Sequence, residues 1–178
     1  NGILRITLRH NVNMKGIQSP IHLSVHKGGV IWFNAYASIN EEISIVDIPD
    51  KKLPEGIFTI TIYDENFHVY CERLAFVNYP EPLQVSLATD KEEYGKRKKV
   101  VAQIEVRDTK GNIQPGNFSL AVVKSNLDNL QVRNNFYTYY FLQSELKGRI
   151  DNPAFYFEKR DSSSMAYLDL LLLTHGWR

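Results

Sequence analysis

The chain has little cysteine, little net charge and no long apolar run. Each of these absences excludes a kind of site or a class of protein. Its single cysteine, Cys71, excludes an internal disulfide bond and any metal site built from several thiolates. The net charge of +1 provides no general attraction to nucleic acid or to an acidic membrane surface. Apolar runs such as Leu170–Leu173 fall far short of the roughly 20 residues that a transmembrane helix needs. The chain starts at Asn1-Gly2, without a Met or a signal-like segment, so we expect it to be a piece of a longer protein.

The composition that remains is typical of a folded protein with one large domain or two small ones. The 178 residues are 43% hydrophobic and 23% charged, which is the profile of a globular chain. Aromatic residues make up 12% of the chain, with ten Tyr and nine Phe. Because aromatic side chains are enriched in strands, this composition favours a β-rich fold.

Alternation of apolar and polar residues predicts a series of strands. In Ile3–Arg9, the apolar residues Leu4, Ile6 and Leu8 alternate with polar ones, as expected of a half-buried strand. The segment from Val30 is apolar on both faces, which predicts a central strand or one covered by a neighbour. The same reasoning predicts further strands in these segments: Ile21–His26, 42–46, Phe58–Tyr63, Val69–Phe76, Leu83–Leu87, Val100–Arg107 and Phe118–Val123.

The best domain boundary is Asn78–Pro82, which contains two prolines and no strand pattern. We therefore predict a first module over residues 1–78, a linker over 79–82 and a second module over 83–178. Short strands at this spacing predict a mainly β fold of tandem Ig-like antiparallel β-sandwiches.

The last fifty residues change to helical periodicity. Met165, Leu168, Leu171 and Leu172 form an apolar stripe, and Ser162–Ser164 can supply its N-cap. The second module has only about three clear strands, too few for an independent sandwich. We therefore expect the helical tail, about residues 136–176, to pack on the second module, with the nearby aromatic residues filling the seam.

The strand from Val69 contains residues that resemble an active site but are better explained as structural. In the alternation of apolar and polar residues, Val69 and Cys71 lie in one phase and Leu74 lies in the opposite phase. We therefore predict a β-bulge at Glu72-Arg73. The phase of Cys71 predicts a buried side chain. We interpret Glu72 and Arg73 as a structural ion pair or hydrogen-bond anchor.

No catalytic or metal-binding motif stands out in the sequence. His22 and His26 have the spacing of a helical zinc motif, but in a strand they lie about 13 Å apart, too far to share one ion. The basic cluster Gly95–Lys99 is best interpreted as a solvated loop. Trp32 and Tyr36 can stack on a sugar, although packing against another layer is the favoured interpretation. We predict neither an enzyme nor a cofactor.

Three blocks of sequence resemble a known family. "LPEGIFTITIYDENFHVYCERLAFVN" (residues 53–78) resembles the close of a macroglobulin-like Ig-fold domain from large multidomain cell-envelope proteins of Gram-negative bacteria. "LATDKEEYGKRKKVVAQIEVRDTKGNIQPGNFSLAVV" (87–123) resembles the module that follows, and "LQSELKGRIDNPAFYF" with "LDLLLLTHGWR" resembles its tail. The most specific parts are these: Glu72-Arg73-Leu74, Leu146-Lys147-Gly148 with Asn152-Pro153, and Gly176-Trp177-Arg178.

The resemblance implies a location and partners. Such proteins carry a secretion signal and are often joined to carboxypeptidase-regulatory-like or TonB-receptor plug-like domains, which implies the periplasm or the outer membrane. Adjacent domains of the same parent chain are then the expected partners, together with an envelope protein, a peptide or a glycan, but neither nucleic acid nor the bilayer itself. Trp177 is implied to be structural.

The chain also departs from the family pattern. Gly95-Lys96-Arg97 stands where these domains usually read Pro-Gly-Glu, and Lys124 stands where Asp is common. The thioester motif of protease-trapping macroglobulins, a Cys close to a Gln, is absent, which argues against covalent capture. We predict a non-enzymatic structural or interaction module of an exported envelope protein. The alternative is a glycan- or peptide-binding module of an outer-membrane-associated uptake system, and an enzyme is the third hypothesis.

Overall fold

A computed structural model of the chain describes residues 2–9, 20–37, 43–79, 81, 83–120, 122, 135–159 and 161–175. The fold is mainly antiparallel β-sheet with a small C-terminal helical part. The chain divides into two compact units. The first unit joins residues 1–79 to residues 131–178, and the second comprises residues 80–130.

In its described residues, the first unit has two antiparallel sheets, three α-helices and a short 3-10 helix (Asp50–Lys52). Strands β1 and β4 form a two-stranded sheet, and the other four strands form a sheet in the order β3-β2-β5-β6. The strands are β1 (Ile3–Arg9), β2 (Ile21–Lys27), β3 (Val30–Ala37), β4 (Ile43–Pro49), β5 (Gly56–Tyr63) and β6 (Val69–Val77). The helices are α1 (Phe136–Thr138), which continues as a π-helical segment (Tyr139–Gln143), α2 (Phe155–Glu158) and α3 (Ser162–His175).

One core lies between the two sheets. Leu23, Val25 and Phe58 from the four-stranded sheet are fully buried there, together with Ile48 from the two-stranded sheet. Leu23, Val25 and Phe58 occupy the inward phase that the alternating pattern predicts, whereas Ile48 lies beyond the predicted strand 42–46. The strand β3, however, lies at the edge of its sheet, and Val30 is exposed. The prediction of a central or covered strand at this position is therefore wrong.

A second core lies on the opposite face of the four-stranded sheet. Ile57 of β5 packs there with buried residues of the helical tail, and Leu74 and Phe76 of β6 pack against the same cluster. The tail residues are Leu142, Leu146, Ile150, Leu168, Leu171 and Leu172. The expectation that the tail packs on the second module is therefore wrong. The predicted aromatic seam exists in the first unit, where the ring of Phe157 lies 5.7 Å from that of Phe76.

These two cores also explain the irregularity expected in β6. The pairing of β6 with β5 is regular from Cys71 to Val77, and the register shifts between Val69 and Cys71, so that Tyr70 is the extra residue. Leu74 and Phe76 face the helical tail while Val77 faces the first core. The apparent change of phase arises because both faces of the strand are packed, and the bulge predicted at Glu72-Arg73 is displaced to Tyr70. Cys71 is exposed rather than buried.

Helix α3 is capped one residue before the predicted serines. The carboxylate of Asp161 accepts the backbone N–H of Ser164 at 2.8 Å, and this hydrogen bond lowers the pKa of the Asp161 carboxyl. Of the predicted stripe, Leu168, Leu171 and Leu172 are buried, whereas Met165 is exposed. None of the helices in the described residues is long and apolar enough to cross a membrane.

Over its described residues, the second unit has one antiparallel strand pair, formed by β7 (Gln84–Thr89) and β8 (Ala102–Arg107). After β8 the chain turns at Asp108. The side-chain amide and the backbone N–H of Asn112 both donate hydrogen bonds to the Asp108 carboxylate. These two bonds, the side-chain bond more than the backbone bond, lower the pKa of Asp108. An isolated bridge joins Arg107 to Ile113. Residues 118–120 and 122 lie outside strands, so the strand predicted from residue 118 is not formed over them.

Candidate functional site: a groove beside Trp32

An open groove of about 960 Å³ lies at one end of the four-stranded sheet. The β2–β3 turn, the loop before β5 and the end of β6 all reach this end, because neighbouring strands of the sheet run antiparallel. The lining residues, all from the first unit, are Lys27, Gly28, Trp32, Asp50, Lys51, Leu53, Pro54, Glu55, Asn78, Tyr140 and Phe141.

A β-bulge places Trp32 at the groove. Val25 pairs with Phe33 and His26 pairs with Ile31, so Trp32 is an extra residue on the edge strand. Bulges bend a strand and redirect the side chain of the extra residue. The side chain of Trp32 is 46% exposed, and no aromatic ring of the described residues packs on its indole. The indole is thus available to a ligand.

Two further features give the groove its floor. Asn78 donates its side-chain amide to the carbonyl oxygens of Asp50 and Leu53, at 2.8 and 2.7 Å, and these bonds hold the loop before β5. The ammonium group of Lys27 donates to the carbonyl oxygen of Glu55 at 2.5 Å and lies 5.8 Å from the centroid of the Phe58 ring. These hydrogen bonds therefore join Lys27, the loop before β5 and Asn78, all of which line the groove.

Gly56 permits this position of the lysine. Its φ is +109°, and a Cβ atom there would overlap the ammonium nitrogen of Lys27. We expect Gly56→Ala to lower the free energy of unfolding by about 1–3 kcal/mol, since Ala is strained at this φ. Urea denaturation measures the change. Gly95→Ala is the control, since Gly95 has no such φ and its nearest neighbour is the side chain of Lys98 at 3.6 Å. Equal stability of the two variants would contradict the prediction.

The aromatic wall of the groove comes from the π-helical segment. Tyr140 is exposed, and its ring meets that of Phe141 edge to face at 5.0 Å. A capping box fixes the start of this helical turn, where Thr138 N–H donates to the Asn135 side chain at 2.8 Å and Asn135 N–H donates to the Thr138 hydroxyl at 3.1 Å. These hydrogen bonds fix the helical turn that precedes Tyr140, which lines the same groove as Trp32.

The charges of the groove balance. Lys27 and Lys51 contribute two positive charges, and Asp50 and Glu55 contribute two negative charges. The described lining residues include no Ser, Thr, Cys or His that could act as a nucleophile or a histidine base. The arrangement supplies ring faces, hydrogen-bond donors and hydrogen-bond acceptors, which are groups that ligand sites use.

Tyr36, the other predicted binding residue, lies at the opposite end of β3. Its ring meets the ring of His22 at 4.7 Å, His22 stacks on Tyr63 at 5.1 Å, and Tyr63 stacks on Phe67 at 5.8 Å. The rings of His22, Tyr63 and Phe67 stack face to face, whereas Tyr36 meets His22 edge to face and is 70% exposed. The structure does not bring Trp32 and Tyr36 together.

The two histidines have separate partners. The Nε2 atom of His26 lies 3.1 Å from the hydroxyl of Thr61, while His22 packs among aromatic rings. The described residues contain no group of three or more His, Cys, Asp or Glu side chains that could hold a metal ion.

The predicted structural residues Glu72 and Arg73 point to opposite sides of β6. The guanidinium of Arg73 donates to both carboxylate oxygens of Asp169 in α3 at 2.5 Å, and both side chains are about half exposed. Glu72 accepts the hydroxyl of Thr61 at 3.3 Å. Arg73 therefore ties the strand to the helical tail. Trp177 lies outside the described residues.

The sequence singled out Trp32 as a possible binding residue but not its neighbours in the groove. Tyr140 and Phe141 are more than one hundred positions from Trp32 along the chain. Their segment was predicted to pack in the seam of the helical tail. Comparisons with protein-family models, with curated proteins and with solved structures give no significant match for this chain.

Proposed function

We propose that this chain is a non-enzymatic interaction module of an exported cell-envelope protein and that it binds its ligand in the groove beside Trp32. The observation that carries the proposal is the exposed indole of Trp32, which a bulge presents to an open groove with a prepared floor. Bulges that redirect a side chain are common beside functional sites.

The finer fold assignment belongs to the same proposal. The antiparallel sheets and the resemblance of residues 53–78 to a macroglobulin-like domain support Ig-like, macroglobulin-like modules. The same resemblance supports a periplasmic or outer-membrane location, in a parent protein of the kind that carries TonB-receptor plug-like or carboxypeptidase-regulatory-like domains.

The second unit supports contact with adjacent domains of the parent chain. Two-stranded sheets are marginally stable alone. Within the described part of this unit, Val106 is the only buried apolar residue, whereas Val85, Leu87 and Ile104 are exposed. This surface suits a neighbouring domain.

Replacing Trp32 by Ala tests the binding function. We expect the wild-type chain to bind at least one member of an array of glycans and extended peptides, and Trp32→Ala to weaken that binding by about thirtyfold, since a central Trp is worth about 2 kcal/mol. Ile31→Ala is the matched control, because Ile31 is an exposed apolar residue of the same strand that does not line the groove. Binding that survives Trp32→Ala unchanged, in a protein that melts like the wild type, would refute the proposal.

A further inference from the structure

We infer that the ligand of the Trp32 groove is an uncharged oligosaccharide, an inference that rests on the binding function proposed above. Trp32 and Tyr140 both line the groove, and both are exposed. A sugar ring has an apolar face of C–H bonds, and these bonds carry the slight positive charge that the negative face of an aromatic ring attracts. The free face of the Trp32 indole suits a sugar face, and the ring of Tyr140, although it stacks on Phe136 at 6.1 Å, is still 55% exposed.

The charges point to an uncharged ligand. The two positive charges of Lys27 and Lys51 and the two negative charges of Asp50 and Glu55 cancel, so the groove as a whole gives no net attraction to an anionic or a cationic ligand. A sugar hydroxyl both donates and accepts hydrogen bonds, so ammonium groups and carboxylates can serve neighbouring hydroxyls of one neutral chain. The balanced charges therefore favour a polyol over an ion.

The size of the groove points to more than one sugar unit. Its volume of about 960 Å³ lies near the top of the range of about 300–1,000 Å³ found for ligand sites. A single sugar unit would fill only a small part of this volume, and water would occupy the rest. A chain of several units can reach both the Trp32 side and the Tyr140 side.

The edge strand argues against an extended peptide. A peptide that joins a sheet needs a regular row of backbone donors and acceptors on the edge. The bulge at Trp32 interrupts that row in β3, since Val25 and His26 pair with residues on either side of it. Bulges are one of the devices that protect edge strands from such pairing.

The test titrates the whole 178-residue chain, carrying Trp177→Phe so that Trp32 is its only tryptophan. The probes are neutral oligosaccharides of gluco, manno, galacto and xylo configuration, an oligogalacturonate as the anionic counterpart, and an uncharged extended peptide. We expect Trp32 fluorescence to change with at least one neutral oligosaccharide. We expect Trp32→Ala, followed by calorimetry, to weaken its binding by about tenfold or more, and Tyr140→Ala by about threefold or more. Trp32→Phe should retain part of the affinity, and Tyr36→Ala should bind within about twofold of the wild type.

The outcomes separate the two proposals. Trp32-dependent binding of the peptide or of the oligogalacturonate, with no neutral oligosaccharide bound, would overturn the sugar assignment and leave the binding function standing. Binding of a neutral oligosaccharide that Trp32→Ala does not weaken would place the sugar elsewhere and overturn both. The same holds if no probe binds through Trp32 while the protein is folded, as judged by its thermal unfolding.

Discussion

Leu168→Ala will lower the free energy of unfolding of the first unit by about 2–5 kcal/mol, the range found when a buried Leu is cut to Ala. Leu168 is 1% exposed and lies in the core that joins α3 to β5 and β6. Leu170→Ala is the matched control, because Leu170 lies in the same helix and is 56% exposed. Urea denaturation gives the change in stability, and the control should stay within about 0.5 kcal/mol of the wild type.

Hydrogen exchange locates this effect. In the Leu168→Ala variant we expect faster exchange of the backbone amides of β5 and β6, since the helix that covers them is loosened. The amides of β7 and β8 should exchange as in the wild type. If the faster exchange appears in β7 and β8 instead, the helix packs on the second unit and the assignment of the tail is wrong.

Phe58→Ala will lower the free energy of unfolding by about 3–5 kcal/mol, the range found when a buried Phe is cut to Ala. Phe58 is fully buried in the core between the two sheets, beneath the ammonium group of Lys27. Domains are stable by only about 5–15 kcal/mol, so this loss is a large share of the total. Thermal unfolding followed by circular dichroism should show a much lower midpoint.

Phe136→Ala is the control for this substitution. The side chain of Phe136 is 83% exposed, so removing it takes little apolar surface out of a packed environment. We expect a change within about 0.5 kcal/mol. A Phe58→Ala variant that is as stable as the Phe136→Ala variant would show that the first core is not organised around Phe58.

Strand positions were predictable because alternation is a local property of the sequence. Strands β1, β2 and β5 lie where the alternating residues place them, and helix α3 covers the segment with helical spacing. The partner of α3 was not predictable. A stripe of leucines shows that the helix packs on an apolar surface, but it does not identify that surface. Ile57, Leu74 and Phe76 form that surface, but each looks like an ordinary strand residue when read along the chain.

The candidate site was predictable only in part, for a related reason. Trp32 stood out as a large aromatic residue in a strand, but its exposure depends on the bulge and on the edge position of β3. Both depend on which strands pair with which. Tyr140 reaches the groove only because the second core holds the helical tail on the sheet.

The division of the first unit into two separate segments of chain has a consequence for its synthesis. Phe76 and Leu168, which pack in the same core, are separated by about 90 residues, and the whole second unit lies between them. At a synthesis rate of about 5–20 residues per second, about 5–20 s pass between the synthesis of β6 and the synthesis of the helix α3 that packs on β5 and β6. A chain that folds during synthesis presents an apolar sheet surface over that interval, whereas a chain that is exported before it folds does not.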